Sequence, residues 1–238
     1  MNLSSQQIDF TAENILPFID LTRLNEDTTA QDIDTLVHKA LKFGVASVCV
    51  FPKDLDFISP NAAIKRTTVI NFPSGSEAHD HVVDTLSHLI LNQQVDEIDY
   101  VFPYTAYLNG QKNEALKQCH ELFQICQKNH LVFKVIIESG VLPSADIIYQ
   151  MSRDVIRSGC DFLKTSTGKQ SIGATIPAVT AILSAILDSR TPCGIKISGG
   201  VSTQDQALSY MRLAHKMLNK TLTPQCFRIG ASGLIDTY

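Results

Sequence analysis

Apolar positions along this 238-residue chain alternate between two periods. Short continuous runs rich in Val, Ile and Phe read as buried strands, and longer stretches with apolar residues every three or four positions read as amphipathic helices. A first strand is predicted over 16–22 and a helix over 28–43, with Ile33, Leu36, Val37, Ala40 and Leu41 on one face and Gly44 as its stop. A second strand over 45–51 ends at Pro52, and a weaker helical patch leads to a third over 67–72, closed by Pro73-Ser74-Gly75. The pattern continues with a helix over 77–94, a strand over 97–102, a helix over 109–128 and a strand over 133–138. A helix over 143–158, the strand leading to Lys164, a helix over 175–187, a strand over 192–200, a helix over 203–218 and a strand over 226–233 complete it.

Eight strands separated by seven helical connections, at intervals of roughly 25 to 35 residues, predict a parallel (β/α)8 TIM barrel. An open doubly wound sheet is the runner-up. One barrel domain is expected over 1–238, with the eighth helix truncated because little chain follows the last strand.

Composition removes several functions. A net charge of −4 gives no basic footprint for nucleic acid, and no basic amphipathic stripe or long apolar run points to a membrane. The polar start over 1–14 lacks the apolar core of a secretion signal, so a cytoplasmic protein is expected. Six cysteines (Cys49, Cys119, Cys126, Cys160, Cys193 and Cys226) form no CxxC pair and suggest neither disulfides nor zinc. His79, His81 and His88 lie on one predicted helix without a carboxylate-histidine metal spacing and read as a solvated face. No metal and no cofactor is expected. No GxGxxG opens a helix after the first strand, and the Gly168-Lys169 pair fails as a phosphate loop, having Leu163 and Gln170 where Gly and Ser or Thr are required.

Candidate chemistry gathers at the strand ends. Lys164 closes a short apolar strand on the same side as Phe162 and opens into Thr165-Ser166-Thr167-Gly168-Lys169. Desolvation disfavours an ammonium, and the neutral amine is the form that attacks carbonyls, so Lys164 is a Schiff-base candidate. The alternative is a lysine whose stem lies on apolar surface while its tip reaches water. Asp20, Asp99, Lys134 and Lys196 fall near other strand ends, with Asn71 and Glu138 close by. These charges read either as a structural salt-bridge network or as a site in which Lys196 keeps Lys164 partly neutral. Two unit charges about 5 Å apart at an effective dielectric of about 20 repel by roughly 3 kcal/mol, close to the cost of a pKa drop of about two units. Gly199-Gly200 and Gly230-Ala231-Ser232-Gly233 sit in the loops after strands seven and eight, where barrels often hold phosphate; tight turns are the plainer reading.

The run Phe162-Leu163-Lys164-Thr165-Ser166-Thr167-Gly168-Lys169 resembles the imine-forming signature of deoxyribose-phosphate aldolases. Asp20-Leu21-Thr22, Asn71-Phe72-Pro73-Ser74-Gly75, Glu97-Ile98-Asp99-Tyr100, Lys134-Val135-Ile136-Ile137-Glu138, Gly194-Ile195-Lys196 and Phe227-Arg228-Ile229-Gly230-Ala231-Ser232 follow in family order. The resemblance implies a metal-independent class I aldolase of nucleoside catabolism, reversibly cleaving 2-deoxy-D-ribose 5-phosphate to D-glyceraldehyde 3-phosphate and acetaldehyde. It implies that Lys164 forms the Schiff base, Lys196 tunes it and Asp99 takes part in proton transfer. It places Asp20 and Lys134 in the surrounding polar network, Lys169 on the substrate-binding face, and Gly199, Gly200, Ser232 and Gly233 around the phosphate. Relatives often carry a second serine where Gly233 stands, and some carry arginine where Ser202 stands, so weaker phosphate binding is implied. Some also end in a tyrosine that assists proton transfer, a role open to Tyr238. With so short a tail, a homodimer in which a neighbour supplies the last helix is one expectation. A catalytically weak or inactive phosphosugar-binding barrel with a regulatory role is the rival, and a carboxylate-using phosphosugar isomerase is a third reading.

Overall fold

The computed structural model describes residues 11–92 and 95–238. The start of the polar amino-terminal stretch and the last two residues of the helix expected over 77–94 lie outside them. Eight strands form a closed, all-parallel barrel in sequence order: β1 (Ile19–Arg23), β2 (Ser47–Val50), β3 (Lys65–Ile70), β4 (Glu97–Val101), β5 (Val132–Ile136), β6 (Phe162–Lys164), β7 (Gly194–Ser198) and β8 (Phe227–Ala231). Pairing of Ile19 with Ile229 and of Asp20 with Gly230 joins the first strand to the last and excludes the open sheet.

The helices between them are α1 (Ala30–Phe43), α2 (His79–Leu91), α3 (Tyr104–Leu108), α4 (Lys112–Lys128), α5 (Ala145–Ser158), α6 (Ile176–Ser189) and α7 (Gln204–Leu218). Local chemistry sets their ends. Thr29 caps α1 by accepting from Asp32 N at 3.2 Å while Asp32 accepts from Thr29 N at 2.9 Å, and Gly44 ends the helix at φ 63. Thr203 and Gln206 form the same reciprocal cap at the start of α7. Ser144 and Thr175 cap α5 and α6.

The departures from the expected elements have physical causes. The first strand begins only at Ile19, because Ala12–Phe18, with Pro17 inside it, winds as a 3-10 helix. The weak helical patch after β2 is the 3-10 turn Pro52–Phe57. α3 was not expected; a five-residue helix is too short to show a period. On α1, Ile33, Leu36 and Ala40 are buried but Leu41 is 46% exposed, since it lies past the edge of the apolar stripe. In place of an eighth helix the chain after β8 makes a 3-10 turn, Leu234–Thr237.

Alternation along each strand divides the residues between two environments. Leu21, Val48, Ile98, Tyr100, Phe133, Val135, Leu163, Ile195 and Ile229 pack in one continuous apolar cluster with the helices. The opposite positions fill the barrel, where interiors usually hold Val, Ile and Leu. Here they carry Asp20, Ser47, Thr67, Glu97, Asp99, Lys134, Lys164, Lys196 and Arg228, all buried. Two glycines make room among them. A Cβ at Gly230 would stand 3.2 Å from Lys196 Cε, and one at Gly194 would meet the Phe162 ring at 2.5 Å. All six cysteines are free thiols, with Cys160 and Cys193 Sγ atoms 3.7 Å apart. Among the described residues no helix is long and apolar enough to cross a membrane.

Candidate active site

The barrel register decides which charges meet. Asp99 pairs with Lys134 across β4 and β5, while Lys164 pairs with Lys196 across β6 and β7, one layer nearer the carboxyl ends. Asp99 bridges the two layers of amine. Its Oδ2 accepts from Lys164 Nζ and from Lys196 Nζ, each at 2.7 Å, and its Oδ1 accepts from Lys134 Nζ at 2.9 Å. The two upper ammonium nitrogens are therefore no farther apart than twice their common distance to that oxygen.

Below this centre the network continues. Lys196 Nζ is 2.6 Å from Asp20 Oδ2, Lys134 Nζ is 2.7 Å from Glu97 Oε2, and Arg228 spans Asp20 Oδ1 at 2.5 Å and Glu97 Oε1 at 3.0 Å. Arg228 also donates through Nε to the Pro224 carbonyl. Three carboxylates thus face four basic groups, so the cluster balances when one base is neutral.

Lys164 is the base whose environment favours that outcome. Burial pushes its pKa down, attraction to Asp99 opposes this, and repulsion from Lys196 adds to the downward push; the result is a lowered value. Burial therefore outranks the cationic neighbour as the cause of the lowering. Lys196 moves the other way, because Asp20 and Asp99 outweigh its burial. Lys134 is likewise raised against burial by Asp99 and Glu97. Asp99 is held well below the ordinary carboxylate range, its burial overcome by Lys134, Lys164 and Lys196. Asp20 is lowered in the same way by Lys196, Lys134 and Arg228. Cys49 stands near the amines as a buried thiol pushed up by desolvation.

An open cavity of about 500 Å³ descends to Lys164 from the carboxyl-terminal rim. Thr22, Thr167, Gly168, Lys169, Ser198, Gly199, Gly200 and Ser232 line it. Gly199 and Gly200 adopt φ 84 and 82, and a Cβ on Gly199 would stand 2.9 Å from Gly173 Cα, so these loops are open only to glycine. Thr167 is fixed from below by the buried Glu138, which accepts from its hydroxyl at 2.5 Å and its N–H at 3.2 Å; burial raises the Glu138 pKa. Lys169 Nζ donates to the Leu24 carbonyl at 2.7 Å across the cavity.

Of the residues singled out from the sequence, Lys164, Lys169, Gly199, Gly200 and Ser232 reach the cavity. Asp99, Lys196, Asp20 and Lys134 are fully buried beneath it, so Asp20 holds Lys196 and Lys134 holds Asp99, and neither lines the cavity wall. Gly233 follows Ser232 at the rim. Glu97 and Arg228 were not expected in the site. An arginine two positions before a glycine on a buried strand was the available signal, because strand parity puts both inside. His79 pairs with Glu121 at 3.0 Å, and among the described residues no group of three or more His, Cys, Asp or Glu could hold a metal ion. Tyr238 does not line the cavity; its ring packs on Phe43 near the far end of α1, with centroids 6.4 Å apart.

A model of the DeoC/LacD family of aldolases matches residues 15–235. The deoxyribose-phosphate aldolase of Agrobacterium fabrum is 35% identical over 247 residues, covering 99% of this chain and 93% of that one. The structure of the deoxyribose phosphate aldolase from Aeropyrum pernix, described as a tetramer, aligns with a TM-score of 0.80 at 20% identity, over 95% of this chain and 92% of that one, and shares its fold.

Proposed function

Because the chain belongs to the DeoC/LacD family of aldolases and is a carbon–carbon lyase, we propose that it cleaves 2-deoxy-D-ribose 5-phosphate reversibly through a Schiff base on Lys164. The observation that carries this reading is a buried amine of lowered pKa, open to a cavity and sharing one carboxylate oxygen with a second lysine.

The chemistry follows from that amine. Neutral Lys164 Nζ adds to the C1 carbonyl of the open-chain sugar, and loss of water leaves a protonated imine. Removal of the C3 hydroxyl proton turns that oxygen into a carbonyl, the C2–C3 bond breaks, and its electrons move into the imine as an enamine. D-Glyceraldehyde 3-phosphate departs. Protonation of the enamine at C2 and hydrolysis then release acetaldehyde and restore the amine. Asp99 relays protons through water, since its oxygens touch both upper amines, and Lys196 keeps its proton and disfavours the ammonium form of Lys164. Lys169, Gly199, Gly200, Ser232 and Gly233 receive the phosphate, while Asp20 anchors Lys196 and Lys134 anchors Asp99 from below.

Borohydride reduction in the presence of acetaldehyde, followed by peptide mass analysis, tests the assignment. A stable two-carbon adduct on Lys164 alone is the expected result; an unmodified protein, or an adduct elsewhere, overturns it.

A further inference from the structure

The glycine loops at the rim offer an anion neutral N–H dipoles, and each cation of the same cavity rests on a partner in this structure. Lys164 is bonded to Asp99, Lys169 reaches the Leu24 carbonyl, and Arg23 lies 3.0 Å from Asp32. The remaining lysine of the cavity wall is Lys39 on α1, whose Nζ is 2.7 Å from Asp236 Oδ1. Asp236 belongs to the turn after β8, and its Oδ2 stands 4.0 Å from where a Cβ on Gly233 would lie. A carboxylate therefore overhangs the loop proposed to receive phosphate. Uncompensated, it would repel a dianion.

Lys39 and Asp236 are 45% and 57% exposed, so their pair is screened and readily exchanged. A phosphate dianion at the Ser232-Gly233 loop offers the lysine a second, doubly charged partner.

We propose that Lys39 is a specificity-determining residue of this site, swinging from Asp236 to the phosphate of an incoming sugar, and that Asp236 is its internal competitor. This rests on the reading of the substrate as a phosphorylated aldehyde sugar. The two side chains then have opposite effects on one quantity, the preference for a phosphorylated over an unphosphorylated substrate.

The test compares kcat/KM for 2-deoxyribose 5-phosphate with that for 2-deoxyribose in the unaltered protein and in Lys39→Met, Lys39→Arg and Asp236→Asn. Lys39→Met is expected to lower the ratio by about tenfold, the size of one lost charge-assisted hydrogen bond. Lys39→Arg restores most of it, and Asp236→Asn raises it by about threefold. A ratio within about twofold of the unaltered protein in Lys39→Met, or a fall in Asp236→Asn matching that in Lys39→Met, overturns the proposal. Acetaldehyde carries no phosphate, so borohydride trapping separates the two levels. An adduct with an unmoved ratio removes only the role of Lys39, whereas no adduct in the unaltered protein removes the underlying reading and this one with it.

Discussion

Lys164 and Lys196 donate to the same oxygen, Oδ2 of Asp99, at the same distance of 2.7 Å. One carboxylate oxygen cannot stabilise two buried ammonium ions as well as one. Asp20 decides between them, because it gives Lys196 a second carboxylate at 2.6 Å, while among the described residues Asp99 is the one carboxylate paired with Lys164. The proton is thus held more tightly on Lys196, and the amine facing the cavity is the one whose pKa is lowered.

Replacing Lys196 by Leu removes the repulsion and leaves Asp99 more available to Lys164, so the pKa of Lys164 rises. The acid limb of the kcat/KM profile is expected to move up by about one pH unit or more, and neutral-pH turnover to fall by about a hundredfold. Trapping with acetaldehyde and borohydride over a pH series reads the same shift directly. An unmoved limb would show that burial alone sets the amine.

Lys164→Met exchanges a buried base for an apolar chain of similar length and leaves Asp99 two donors, Lys134 and Lys196. With three carboxylates then facing three bases, urea denaturation is expected to show stability within about 1 kcal/mol of the unaltered protein, or increased. Activity and trapping vanish. A loss of several kcal/mol would mean that the amine is there to hold the barrel.

Arg228→Met strips one partner from both Asp20 and Glu97 at the buried floor of the network. Breaking a buried pair from one side costs about 3–5 kcal/mol, and the urea midpoint should fall accordingly. Arg228 does not reach the cavity, so kcat in the surviving folded protein should fall less than in Lys196→Leu. A midpoint unchanged within error would refute the structural role.

Acid should loosen the barrel through Asp20 and Asp99. Both are held below the ordinary carboxylate range, so the unfolded chain binds protons before the folded one does as pH falls. Their contribution is full above the unfolded value of about 3.9 and is lost progressively below it, down through the lower folded values. Urea midpoints measured from about pH 6 to about pH 2.5 should decline most steeply below about pH 4. Asp20→Asn should flatten the decline.

Much of this protein is legible in one dimension. Period and punctuation distinguish strands from helices, and Gly44, Thr29 and Thr203 mark helix ends because turn and cap chemistry is local. The lysine at the end of β6 and the glycines after β7 and β8 stand out for the same reason: a charged residue in an apolar run, or paired glycines in a turn, is unusual against its immediate neighbours. Sequence alone thus establishes the alternation and the barrel, and singles out Lys164 as the candidate amine.

The partners are a property of closure. Asp99 and Lys196 are 97 positions apart, and Asp20 and Arg228 are 208 apart. Only the register around a closed sheet determines that Lys196 receives two carboxylates and Lys164 one. It likewise places Asp20 and Lys134 under the cavity, brings Glu97 to Arg228, and lays the tail along α1, where Asp236 meets Lys39 and Tyr238 meets Phe43. A run of residues specifies which charges a strand carries. Their distances, and hence which amine has its pKa lowered and which has it raised, arise from packing eight strands into a ring.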